Sequence, residues 1–431
     1  MEDTRKLGFW ETVRQNTHLN KFGTSFISIV AQIKGPLTED LVRKATHLLF
    51  NQQPLLRARI EKKLDSYEFK LDRKFSDIPF KIIKKNSPSQ YRKIIEQELS
   101  IPPETDHYLW RIIFLQGNNT ANEHEVLFFF HHSIADGSII YFIRDLLNYC
   151  HQLSDGEKIS STEFPLISYV ENRLAKKLLW KDYVKNLNDY HFIPQIEKWH
   201  YATNTPLGTR ITHGLYHEIA MTQINLLRES CRRENVTLNS AFAAALLLSG
   251  YKNNIHKGPL SILTFVNLRE YCAPPVPKDY LGCYVSSVLT KHDIKENNLW
   301  KIARDYQKQL HDAIPKVLFT PYEFPQAELK KFSIANPLGM LSKSENTKEQ
   351  ETFNVDFCIT NLGHVDIPDT YGPFQLNNFY FGTSRQAGDI GIIANIISLH
   401  QKMFMCFGYV EPLIDKTFAA TLIDTMMEEL K

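Results

Sequence analysis

Between Val126 and Leu147 the chain reads VLFFFHHSIADGSIIYFIRDLL, so that two adjacent histidines, His131 and His132, precede Asp136 and Gly137, with His132 four residues ahead of the aspartate. Imidazole has an ordinary pKa of about 6.5, which leaves it mostly neutral near pH 7 yet able to take a proton. One such general base contributes roughly a hundredfold to ten-thousandfold in rate, about 3 to 5 kcal/mol of barrier. That chemistry suits the activation of a hydroxyl or an amine. No G-x-S-x-G elbow occurs, and Ser133 carries no nucleophile signature of its own, so covalent serine catalysis has no support in the sequence.

The flanking residues say how these groups are held. Val126 to Phe130 is an unbroken run of bulky apolar residues, the pattern of a buried strand. Beyond the loop, Ile139, Ile140, Phe142, Ile143, Leu146 and Leu147 recur at the spacing of three and four that paints one face of a helix. Asp136 and Ser138 stand where an N-cap belongs, their oxygens able to accept free backbone N–H groups. The histidines therefore sit on a strand-to-helix loop.

Each residue also has a plainer reading. Consecutive side chains of extended chain point to opposite faces, which makes His131 a packing residue beside a catalytic His132. Asp136 is open to three roles: helix cap, orienter of His132 as in a triad, or partner of a remote cation. A metal site built from His131, His132 and Asp136 is not expected, because sequence neighbours converge poorly on one ion and no second cluster completes a shell.

The segment HHSIADG resembles the HHxxxDG signature of the CoA-dependent acyltransferase superfamily, which includes chloramphenicol acetyltransferases, condensation domains, polyketide-associated acyltransferases and alcohol acetyltransferases. Three further stretches are similar to family landmarks: FVNLREYCAPPVPKDYLGCYVSS from Phe265 to Ser287, CITNLGHV from Cys358 to Val365, and the opening with Leu7 to Glu11 and QPLLRAR from Gln53 to Arg59. The landmarks run from residue 7 to about 365. The resemblance implies two chloramphenicol acetyltransferase-like α/β lobes, each a mixed sheet with helices, around a channel, with one lobe lending a strand or loop to the other. It implies that His132 deprotonates an acceptor for direct attack on an acyl thioester. It implies that Asp136 pairs with Arg269 to hold the loop, and that Gly137 leaves room at the channel mouth. Thr360 and Asn361 would lie near the thioester or pantetheine arm, although a strand-end hydrogen bond within the protein suits Asn361 equally. The donor would be acyl-CoA or an acyl-carrier pantetheine, with no permanently bound cofactor, and the acceptor an alcohol or amine. A carrier protein is a possible partner. His131 fits the chloramphenicol, condensation and polyketide-associated branches, and the lack of D-F-G-W-G near the carboxyl end departs from the plant-type branch. With no carrier domain visible, O-acyl transfer is favoured, followed by amide formation by a freestanding condensation enzyme. A non-catalytic binding protein that kept the fold is the third reading.

Composition bounds these expectations. At 431 residues, 43% hydrophobic and 23% charged, the chain is too long for one ordinary core, so two lobes are expected. We divide it into 1–193, a crossover at 194–212 rich in polar and turn residues, and 213–431. A net charge of +2 gives no field suited to nucleic acid. Six cysteines without a C-x-x-C pair or regular framework point to a reducing compartment. The start, MEDTRKLGFW, lacks an apolar signal core, and the longest apolar block, Ala241 to Leu248, is short of the about 20 residues that cross a bilayer. A cytoplasmic protein is expected. Periodicity predicts strands over 22–34, 67–83, 260–267, 353–360, 375–381, 389–398 and 403–409, and helices over 37–52, 88–99, 174–190, 221–233, 238–251, 297–312 and 414–430. The polar segment 342–352 reads as mobile.

Overall fold

The computed structural model describes residues 3–64, 66–117, 122–190, 199, 205–321, 355–384 and 390–431. The polar segment 342–352 and most of 194–212 lie outside these. In chain order the strands are β1 (Thr4–Lys6), β2 (Phe26–Lys34), β3 (Arg59–Lys62), β4 (Tyr67–Lys70), β5 (Phe80–Lys84), β6 (Trp110–Gln116), β7 (Glu123–His131), β8 (Lys176–Leu178), β9 (Ile211–Ala220), β10 (Leu260–Asn267), β11 (Val285–His292), β12 (Phe319–Pro321), β13 (Val355–Val365), β14 (Thr370–Tyr371), β15 (Phe374–Thr383), β16 (Ile390–Leu399) and β17 (Lys402–Glu411). The helices are α1 (Phe9–Asn20), α2 (Glu39–Gln52), α3 (Gln90–Leu99), α4 (Ile139–Ser154), α5 (Val170–Arg173), α6 (Trp180–Tyr190), α7 (Met221–Arg233), α8 (Leu238–Lys252), α9 (Leu299–Ala313) and α10 (Lys416–Glu429).

Two six-stranded mixed sheets organise the chain, in the orders β14-β15-β2-β7-β6-β5 and β11-β10-β13-β16-β17-β9. The first sheet is built around β7, whose Val126 to Phe130 are fully buried. One face carries α2 and α4. Helix α4 buries Ile139, Ile140, Phe142, Ile143, Leu146 and Leu147, the stripe read from the sequence, each worth about 1.5 to 3 kcal/mol of removed apolar surface. Phe142 meets Phe128 and Phe130 edge-on, at ring separations of 5.1 and 5.5 Å. In the second half α8 is buried from Ser240 to Gly250, as befits a helix that is apolar around its whole circumference.

Several elements depart from the periodicity. The stretch 67–83 is two strands in different sheets, β4 and β5, separated by the 3-10 turn Phe75–Asp77. The helix expected over 174–190 starts at Trp180, because Lys176–Leu178 pairs in parallel with β12. Strands β6, β9 and β11 have no counterpart in the sequence-based reading, and β9 begins at Ile211, inside the stretch read as crossover.

The two halves exchange chain. Strand β15 follows β13 in sequence but pairs antiparallel with β2 over Gln375↔Lys34 to Thr383↔Ile27, which adds it to the first sheet. Residues 370–383 thus belong to the second half by position and to the first sheet by hydrogen bonding. Alternation of side chains shows which face of a strand is buried but not which edge it joins.

A charged clamp also crosses between the halves. His213 on β9 lies 2.9 Å from Glu96 on α3 and 3.1 Å from Glu411 on β17. Burial opposes its charge, but the hydrogen bond and charge of Glu96, with the charge of Glu411, raise its pKa above the ordinary value. A group whose pKa is raised on folding stabilises the protein fully below its unfolded value and loses that contribution as pH rises through its folded value. His213→Ala should therefore destabilise the protein most below about pH 6.5, with the gap from wild type closing as pH rises. Urea unfolding of both proteins between pH 5.5 and 9 measures this, and a gap independent of pH would refute the clamp.

Candidate active site

Strand β7 ends at His131, and the chain turns through Ser133 to Gly137 before α4 begins. The turn is held from both sides: the His131 N–H donates to the Leu109 carbonyl at 2.7 Å, and the His132 N–H to that of Ser25 at 2.8 Å. His132 Nδ1 lies 2.8 Å from the carbonyl oxygen of Ala135. A carbonyl only accepts, so Nδ1 carries the proton, and when the ring is neutral the lone pair is on Nε2. The position a triad carboxylate would take at Nδ1 is filled by this backbone oxygen.

His131 plays a different part. It is fully buried and does not line the cavity described below. Its Nδ1 receives the Ser133 N–H at 3.3 Å and lies 2.7 Å from the Ser133 hydroxyl, while its ring meets His18 edge-on at 4.9 Å. Burial, then the neighbouring His18, His132 and Arg14, hold its pKa well below the ordinary value, so it stays neutral.

Asp136 is the centre of a buried charge network. One Arg269 nitrogen, Nη2, donates to both of its carboxylate oxygens, at 2.8 and 2.9 Å, with each side chain under 5% exposed. Asp136 also accepts the Ser138 N–H at 2.9 Å, a local turn bond, and the Tyr284 N–H at 2.9 Å. Arg269 is completed by a 2.8 Å bond from Nη1 to the Pro277 carbonyl, and its guanidinium lies 4.8 Å from the centre of the Tyr284 ring. The carboxylate therefore meets a remote cation and closes the turn before α4, but it does not cap the helix, whose N-cap Ser138 carries no side-chain cap hydrogen bond. A buried pair holds only when its other polar atoms find partners, and each Asp136 oxygen here accepts a backbone N–H besides the arginine.

The loop that supplies Tyr284 is pinned to the first half by Gln53 of the QPLLRAR stretch. Its amide donates to the Asp279 carbonyl at 2.6 Å and accepts the Leu281 N–H at 3.1 Å. Tyr280 stacks on Phe164 at 4.2 Å, and the Tyr284 hydroxyl donates to the Ser168 carbonyl at 2.9 Å.

Between the two sheets lies a cavity of about 260 Å³ that brings together His132, Asp136, Gly137, Arg269, Thr360 and Asn361. Residues 132–137 come from the loop before α4, Arg269 from the turn after β10, and Thr360 and Asn361 from β13. The amide of Asn361 is engaged within the protein, its oxygen accepting the Gly363 N–H at 2.8 Å and its nitrogen donating to Asn239 Oδ1 at 3.3 Å. Gly137 serves contact as much as space: a Cβ there would lie 2.6 Å from Leu362 Cδ2. Sequence reasoning missed Leu362, Tyr284 and the part played by Gln53. For Leu362 a signal was present, since Asn361 and Gly363 flank it in the pattern of a side-chain-capped turn.

The condensation-domain family matches residues 16–362. The chain belongs to that family. Condensation-family structures share its two-lobed mixed α/β fold along the whole length. Polyketide synthase associated protein 5 from Mycobacterium tuberculosis superposes with a TM-score of 0.67 at 15% identity, covering 99% of this chain and 96% of that one. A trichothecene 15-O-acetyltransferase from Fusarium sporotrichioides gives 0.73 at 10% identity over 99% and 95%. The starter condensation domain of rhizomide synthetase, in complex with C8-CoA, gives 0.68 at 10% identity over 100% and 94%. No curated protein matches by sequence. No helix among the described residues is long and apolar enough to cross a membrane.

Proposed function

We propose that this condensation-family protein is an acyltransferase that moves an acyl group from a CoA or carrier-pantetheine thioester to a hydroxyl or amine. The observation that carries the reading is the Ala135 carbonyl on His132 Nδ1, which leaves Nε2 as the basic nitrogen of a histidine lining the cavity. In the proposed step Nε2 takes the acceptor's proton as its oxygen or nitrogen attacks the thioester carbonyl carbon. The tetrahedral intermediate then collapses, the carbon–sulfur bond breaks, and the thiolate leaves with the proton returned from His132. Asp136, bound to Arg269, holds the loop and stays out of the proton path. Thr360 and Asn361 are assigned to the donor side, Asn361 acting through the turn it caps. No metal or resident cofactor enters this step.

An O-acyl product is the first choice. A condensation-domain match over residues 16–362 favours a second reading, amide formation with a carrier-bound amine. The test is thiol release from a panel of acyl-CoA donors, with and without pooled alcohols or amines, and then with a loaded carrier protein. Acceptor-dependent thiol release supports acyl transfer, and the acceptor class separates ester from amide. No acceptor-dependent release from any donor would refute the reading and leave a binding protein. Transfer should be sequential, since in the proposed step the acceptor attacks the thioester directly. A covalent acyl-enzyme trapped with donor alone and mapped to one residue would exclude the mechanism.

A further inference from the structure

We propose that Leu362 sets the length of acyl chain the cavity accepts, an inference that rests on the acyl-transfer reading above. The pairing of β13 with β16 slips between Asn361 and His364, so the strand bulges there. Gly363 takes a positive φ of +71°, and its N–H is held by Asn361 Oδ1 at 2.8 Å. A bulge re-aims the side chain it carries, and bulges gather beside active sites for that reason. Here the side chain is Leu362, which reaches from the second sheet onto the backbone of Gly137 on the histidine loop. The 2.6 Å from Leu362 Cδ2 to a Cβ built on Gly137 shows how close that approach is. Asn361 pins the bulge to α8 through Asn239, so the leucine is aimed by a braced turn.

Part of the cavity wall is polar, with Asn267, Glu270, Lys278 and His364 among its lining, and part is apolar. Ile27, Phe265, Val285, Val365 and Phe381 line the same cavity as Leu362 and His132. An acyl donor must place its carbonyl within reach of an acceptor bound at His132, and its alkyl chain then needs a dry surface. The acceptor brings a polar hydroxyl or amine and gains less from such a wall. At about 260 Å³ the cavity is smaller than the about 300 to 1,000 Å³ typical of drug-sized ligands, so one side chain on its wall decides what fits. Each methylene gained or excluded in such a pocket changes relative rates by about 10- to 200-fold.

The test compares wild type, Leu362→Ala and Leu362→Phe with donors from acetyl-CoA to dodecanoyl-CoA and one acceptor, then with one donor and acceptors of graded size. Leu362→Ala should raise the kcat/KM ratio of long over short donors at least about tenfold, and Leu362→Phe should lower it, with the acceptor ratio unmoved. Donor ratios within threefold of wild type in both variants would overturn the proposal, as would a shift in acceptor ratio alone. A parallel arm measures acyl-CoA binding by calorimetry in a His132→Ala background, where no turnover intervenes, and the same shift in chain-length preference is expected there. Wild type without acceptor-dependent thiol release refutes acyl transfer, whereas active wild type with unmoved donor ratios refutes Leu362 alone. Circular dichroism melts accompany each variant, and Leu362→Phe carries the test if Leu362→Ala does not fold.

Discussion

His132→Ala should lower turnover by about a hundredfold to ten-thousandfold while leaving donor affinity and the melting temperature near those of wild type. His132 is only 9% exposed, but the hydrogen bond from its ring to Ala135 is local to its own loop, and the strand before it is fixed by β2 and β6. Loss of the base removes a transition-state proton acceptor and little binding surface. His131→Ala should act differently, through the packing of a neutral ring against His18, with a larger effect on stability than on the chemical step. Single-turnover kinetics and thermal melts of both variants separate the two. If His132→Ala retains more than about a tenth of wild-type turnover, the base is elsewhere.

Asp136→Asn and Arg269→Gln should each cost about 3 to 5 kcal/mol of stability, because either change leaves the opposite charge buried without its counter-ion. An exposed pair would matter by about 1 kcal/mol or less, and burial of both side chains here sets the larger scale. Turnover should fall as well, since the same carboxylate fixes the Ser138 and Tyr284 amides that position the histidine loop. The double variant should lose less than the sum of the two, the signature of a shared interaction. Denaturant midpoints for the four proteins give the coupling, and additive losses would show that the two residues act independently.

Much of the local framework was legible in the sequence. The run at Val126 to Phe130 and the stripe from Ile139 to Leu147 have periods belonging to one strand and one helix, and both elements stand where those periods put them. The largely apolar α8 and the amphipathic α9 followed in the same way, because burial of a face is written in neighbouring residues. The family resemblance pointed to the histidine and the aspartate through HHSIADG and to the arginine through FVNLR. It could not say that Nδ1 of His132 is held by its own loop, since that depends on the path of the turn from Ser133 to Gly137.

By itself, then, the sequence determined the mixed α/β class and the buried strand and helix around HHSIADG, all properties of contiguous residues. The tertiary structure decided what contiguous residues leave open. It placed β15 on the edge of β2, set Arg269 against Asp136 across 133 positions, a pairing the family resemblance had implied, and brought Leu362 onto Gly137. It also put His213 between carboxylates from two different elements. The physical reason is common to all four. A side chain's own pattern records whether it is buried, charged or free to turn, whereas its partner is chosen by sheet order and by the crossing of the chain between halves, which local periodicity does not encode.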